Sequence, residues 1–112
     1  MNRENDQLDD IKTEVFKLED LVEYQKNSVV SKTLIDRESG TLTLFALDRG
    51  QSISEHSAPY DALVLILDGE AKITISGQDL ELESGESTVM PANEPHSLEA
   101  QKRFKMLLIM IR

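Results

Sequence analysis

Lys72-Ile73-Thr74-Ile75-Ser76-Gly77-Gln78-Asp79-Leu80-Glu81-Leu82-Glu83 is the stretch on which the fold turns. Apolar and polar residues alternate on both sides of Ser76-Gly77, with Ile73 and Ile75 before it and Leu80 and Leu82 after it. A period of two places one set of side chains on a buried face and the other in water, and a two-residue turn joins the halves into a hairpin. The same signature extends in both directions. Val29–Ile35, Thr41–Leu47, Ala62–Leu67, Ala71–Ile75, Thr88–Met90 and Phe104–Ile111 are short runs rich in β-branched and apolar residues. Glu38-Ser39-Gly40, Asp48-Arg49-Gly50, Asp68-Gly69 and Ser84-Gly85 read as turns between them. Short strands with a turn every 8–12 residues predict an all-β sandwich or barrel.

The N-terminal region carries two competing signals. Residues 1–14 are polar and acid-rich and read as a tail, with the domain proper over 15–112. A short strand near Val15–Leu18 and one helical turn over Glu19–Glu23 are expected to follow. Leu8, Ile11, Val15, Leu18 and Val22 also fall at helical spacing, so a helix over about 6–24 is the alternative.

Composition excludes several function classes. The chain has 112 residues, enough for one domain, and no cysteine, so neither disulfides nor thiol chemistry enter. Net charge is −9, from 21 acids against 12 bases. With no basic cluster to offset it, that field repels phosphate backbones and argues against nucleic acid as a partner. No run approaches the roughly 18 apolar residues of a membrane span, and the first residues lack the basic and apolar regions of a secretory signal. The expected location is the cytoplasm.

Two spaced patterns then narrow the fold. Gly50, His56 and Gly69 frame the first, with Ala58 and Ala62 between the last two; Gly85, Pro91, Asn93 and His96 frame the second. These resemble the two motifs of the cupin superfamily, in particular its small single-domain bacterial members, over about residues 28–112. The first motif has Gly, five residues, His-x-His, three or four residues, Glu, six residues, Gly; the second has Gly, five residues, Pro-x-Gly, two residues, His. The resemblance implies a small double-stranded β-helix, a jelly-roll barrel, here with a short N-terminal helical turn. It also implies that His56 and His96 face each other in the barrel mouth.

The departures bear on function. Ala58 stands at the second His of the family pattern, Ala62 at its Glu and Asn93 at its Gly. The family's metal centre uses three His and one Glu, and this chain has only two His. The resemblance therefore leaves His56 and His96 as the candidate metal ligands for a divalent ion (Fe, Ni, Zn or Mn), short of the three side chains that protein zinc sites normally use. Asp61, Glu55 and Glu94 are the carboxylates near enough in sequence to complete a two-His, one-carboxylate set. Parity turns Asp61 and Glu55 away, and Asp61 is read as capping the turn at Pro59-Tyr60.

The ligand pocket is expected to comprise His56, Ala58, Tyr60, Ala62, Met90 and His96, made roomier and more apolar by the two alanines. Its expected function is to bind a small molecule, with the histidines holding an anionic group or exchanging protons. A metal-dependent isomerase or dioxygenase with an atypical two-His site is the alternative, and a purely structural dimeric barrel is a third reading. Parity also puts Leu63, Leu65 and Leu67 on the outer face if Ala62, Val64 and Ile66 face inward. Three leucines in a row predict a homodimer, unless the N-terminal segment covers them.

Overall fold

The structure, a computed structural model, describes residues 7–112. A single helical turn, α1 (Leu8–Ile11), and a 3-10 turn at Leu18–Leu21 precede eight strands. These are β1 (Val29–Arg37), β2 (Gly40–Leu47), β3 (Ser52–His56), β4 (Asp61–Ile75), β5 (Gln78–Glu83), β6 (Ser87–Met90), β7 (His96–Glu99) and β8 (Phe104–Ile111). The result is an all-β jelly-roll barrel in which neighbouring strands run antiparallel in the order β1-β2-β8-β4-β7-β3, with β5 and β6 also paired to β4. No described helix is long and apolar enough to cross a membrane.

The hairpin of the opening stretch forms as expected, with Ile73 opposite Leu80 and Ile75 opposite Gln78. Ser76 and Gly77 both have positive φ, 49° and 82°, the two-residue turn whose twist matches its strands. Asp68-Gly69 differs from expectation. It does not end a strand; β4 runs fifteen residues through it. The first half of β4 pairs with β6 and β8, and the second half with β5 and β7. A bulge at Leu67 shifts the β8 register, and Gly69 follows at φ 78°. Bulge and glycine let one strand bend from one sheet into the other.

Strand parity holds. Ala62, Val64 and Ile66 are buried inside the barrel, where Ile73, Leu98, Phe104 and Met106 join them. β8 is apolar on both faces because it has a layer on each side. Phe104 and Met106 face the interior, and Leu107 belongs to a second cluster with Val22, Leu34, Leu44 and Ala46.

The second cluster lies under the N-terminal segment, where the expected helical turn forms, as the 3-10 turn at Leu18–Leu21, but the expected strand and the alternative long helix do not. No strand forms at Val15–Leu18, and Val15 is fully exposed. No long helix forms either, because Thr13 adopts φ 65° and separates the two short turns. Of the residues read as tail, 1–6 lie outside the described region, while Ile11 packs on the second cluster with Leu18 and Leu21. Each apolar side chain so buried contributes about 1.5–3 kcal/mol at most. Tyr24 anchors the end of this strap: its hydroxyl donates to Asp68 at 2.6 Å, and the Arg103 guanidinium lies 4.4 Å from its ring centre. Burial first, and Asp68 second, hold its phenol well above the ordinary value. Lys105 Nζ completes the anchor by donating to the Glu19 carbonyl at 2.6 Å.

Candidate functional site

β3 and β7 are short and polar at their tips, and neither is conspicuous in the sequence. Their pairing brings the two histidines together. His56 ends β3, His96 begins β7, and they are register partners. Their rings meet edge-on, with centroids 4.3 Å apart at 74° and Nε2 atoms 3.0 Å apart. His96 is buried, at 5% exposure, whereas His56 lies open to solvent.

Hydrogen-bond chemistry constrains where the protons sit. His56 Nδ1 lies 2.8 Å from the Ser54 carbonyl and His96 Nδ1 lies 3.2 Å from the Glu94 carbonyl. A carbonyl only accepts, so the network assigns a proton to Nδ1 of both rings. A neutral imidazole has one N–H, which leaves both Nε2 atoms as bare lone pairs facing each other. Contact at 3.0 Å becomes a hydrogen bond only when one further proton lies between them. The pair is thus built to hold a single shared proton and one positive charge. A second proton would set two cations against each other at this distance. In keeping with this, burial first and His56 second push the His96 pKa below its ordinary value.

The other expected pocket residues are placed differently from one another. Tyr60 is exposed in the loop after β3, and Ala58 is half-buried there. Ala62 and Met90 are register partners, both inside the packed interior cluster. That packing runs against the expectation that an alanine at 62 simply enlarges a pocket.

The three candidate carboxylates do not join the histidines in a metal site. Asp61 does not cap the Pro59-Tyr60 turn; its Oδ1 accepts the Ala92 N–H at 2.8 Å, a contact across two loops that strand parity cannot reveal. The Glu94 carboxylate accepts the Ser76 hydroxyl at 2.5 Å, and Glu55 is exposed on β3. Among the described residues no group of three or more His, Asp or Glu could hold a metal ion. The donor set at the mouth is two imidazoles, fewer than a protein metal site normally uses. A cavity of about 470 Å³ opens elsewhere, between the β4–β5 hairpin and Gln101-Lys102. Its walls are the charged faces of Glu70, Lys72, Glu81 and Glu86, none of them singled out by the sequence motifs.

The cupin domain model matches residues 43–111, more than half of the chain, and contains both histidines. This chain belongs to the cupin family. Among solved structures it is similar to a conserved protein of unknown function from Streptococcus pyogenes, at 40% identity and TM-score 0.86 over 89% of this chain and 88% of that one. A cupin 2 conserved barrel domain protein from Leptotrichia buccalis is 44% identical with TM-score 0.85, over 87% of this chain and 47% of the other, so this cupin spans about half of that chain's length. A cupin superfamily protein from Desulfitobacterium hafniense is 34% identical with TM-score 0.85, over 89% and 92% of the two chains. No curated protein matches this cupin. Its departure at Asn93 has a plain physical reading. Asn93 sits at φ 67°, in the left-handed region where glycine is best suited and Asn is among the few tolerated alternatives. The backbone turn of the second motif is kept, while two ligands of the first, at Ala58 and Ala62, are not.

Proposed function

We propose that this cupin binds a small organic acid at the barrel mouth through the His56–His96 pair, without a resident metal. The observation that carries this reading is the pairing of the two Nε2 atoms at 3.0 Å while each Nδ1 faces a carbonyl. Such a pair offers one positive charge at the barrel mouth, and Asp61 and Glu94 are engaged away from it. The net charge of −9 does not forbid an anion there. A unit charge about 4 Å away in an effective dielectric of about 20 gains about 4 kcal/mol, whereas surface carboxylates more than about 10 Å away are largely screened. The test is calorimetric titration of chelator-treated protein with acetate, malonate and benzoate. Binding is expected in the wild type and lost in both His56→Gln and His96→Gln. Unchanged binding in His96→Gln would overturn the reading. Binding only after zinc, iron, nickel or manganese is added would favour a metal-dependent isomerase or dioxygenase instead.

We propose in addition that the protein acts as a homodimer in the cytoplasm. Register places Val89, Leu63, Ile109, Leu42 and Ile35 in one row across the outer sheet. Ile109, Leu42 and Ile35 pack on the strap-covered cluster, as do Leu65 and Leu67, but at the open end of the row Leu63 and Val89, with nearby Ile111, remain 37%, 51% and 62% exposed. An exposed apolar end of this kind, continuous with a covered apolar sheet face, is a surface a second copy could cover. Light scattering should return a dimer mass at micromolar concentration, and Leu63→Lys should return a monomer that melts close to wild type. Leu65→Glu should instead unfold the chain, since it puts a charge under the strap. A monomer mass for wild type contradicts the proposal.

A further inference from the structure

We propose that Asp61 is the positioning residue of the His56–His96 pair, an inference that rests on the reading of that pair given above. Each histidine hangs at the end of a loop. His56 is followed by residues 57–60, after which Asp61 opens β4; His96 is preceded by the loop over residues 91–95. Two prolines in that second loop, Pro91 and Pro95, have no N–H, so only Ala92, Asn93 and Glu94 have donors. Glu94 N–H goes to the Pro91 carbonyl at 3.3 Å, within the loop. The other two cross to the His56 side: Ala92 N–H to Asp61 Oδ1 at 2.8 Å, and Asn93 N–H to the Ala58 carbonyl at 2.7 Å. On the far flank Ser76 N–H donates to the Pro95 carbonyl at 2.8 Å and its hydroxyl donates to Glu94.

Of the two bonds that tie the loops directly to each other, only one involves a side chain, that of Asp61. Its place gives the arrangement its meaning. Asp61 stands one residue before Ala62, where the cupin pattern has its inward-facing carboxylate. One step along a strand reverses the side chain's direction. The carboxylate at 61 therefore cannot serve the interior as the family's Glu does, and it binds the neighbouring loop instead. The histidine contact needs such a hold. At 3.0 Å it has the ordinary length of a nitrogen-donor hydrogen bond, whose range ends at about 3.2 Å, so the two loops must keep their spacing for it to form. Without Asp61 the Ala92 N–H loses its acceptor, which leaves the Asn93–Ala58 bond as the remaining direct tie between the two loops.

The experiment uses the only two histidines of the chain as reporters, read by ¹⁵N spectra of their imidazole nitrogens. In the wild-type background His56→Gln should move the His96 Nε2 resonance, because its partner is gone. In Asp61→Ala that response should be lost, and in Asp61→Asn it should be retained, since the amide oxygen still accepts the Ala92 N–H. A purely structural role would lower the melting temperature without uncoupling the rings. A folded Asp61→Ala protein with the full response overturns the proposal, whereas no response in wild type overturns the histidine pair itself. Should Asp61→Ala fail to fold, hydrogen exchange of the Ala92 amide in wild type decides. Protection supports the latch, and exchange at the rate of a free peptide removes it.

Discussion

Gly69→Ala should lower the unfolding free energy by about 2–5 kcal/mol, a large part of the roughly 5–15 kcal/mol that holds a domain together. Two separate costs meet at this residue. Its φ of 78° is left-handed, which costs a residue with a Cβ about 1–2 kcal/mol. A Cβ built there would also lie 2.0 Å from the Arg103 carbonyl oxygen and 3.0 Å from the Phe104 Cα. Both are backbone atoms of the facing chain, so no side chain can swing aside. β4 and β8 would have to separate at the point where β4 bends between sheets, at about 1–3 kcal/mol for overpacking. Gly85→Ala is the control: its φ of 90° is equally unfavourable, but an added Cβ meets nothing within 4 Å. That variant should lose only the conformational part. Urea unfolding of both proteins checks the difference, and equal losses would mean that the close approach of Arg103 is unimportant.

Rebuilding the missing ligands should have the largest effect on chemistry. The wild-type protein is expected to hold less than one tightly bound divalent ion per chain, because two imidazoles fall below the usual ligand count. Ala58→His together with Ala62→Glu adds the two ligands of the family pattern and should give stoichiometric zinc or nickel binding. Ala62 faces inward against Met90, so a glutamate there also crowds the interior, and overpacking of that kind costs about 1–3 kcal/mol. Ala58→His with Ala62→Gln carries similar bulk without the charge and separates crowding from ligation. Elemental analysis after dialysis against a chelator reads all three proteins. Stoichiometric metal in wild type, or no gain in the double variant, would contradict the reading of the mouth.

The parts of the fold governed by strict alternation were legible in the sequence. The β4–β5 hairpin and the β8 strand lie where period-two patterning and turn chemistry put them. Asp68-Gly69 misled because a bulge at a sheet corner uses the same residue types as a turn, and only the pairing partners distinguish them. The N-terminal strap misled for a different reason. Its apolar residues do reach the sheet, but through two short turns on either side of Thr13 rather than along one helix or strand. At the barrel mouth, the family resemblance implied that His56 and His96 face each other, and they do. It could not reveal that each Nδ1 meets the carbonyl two residues before it, which depends on local ring orientation, nor that Asp61 reaches Ala92, which depends on how two loops lie in space.

Long-range ¹H–¹⁵N spectra of metal-free wild-type protein observe the shared proton most directly, recorded from about pH 6.5, the ordinary histidine pKa, downward because burial holds His96 below that value. Protonated Nδ1 is expected on both rings, with both Nε2 resonances drawn between the values of a bare and a protonated nitrogen as one proton divides its time between them. Two independent rings, each carrying its own proton on Nε2 and none on Nδ1, would contradict it.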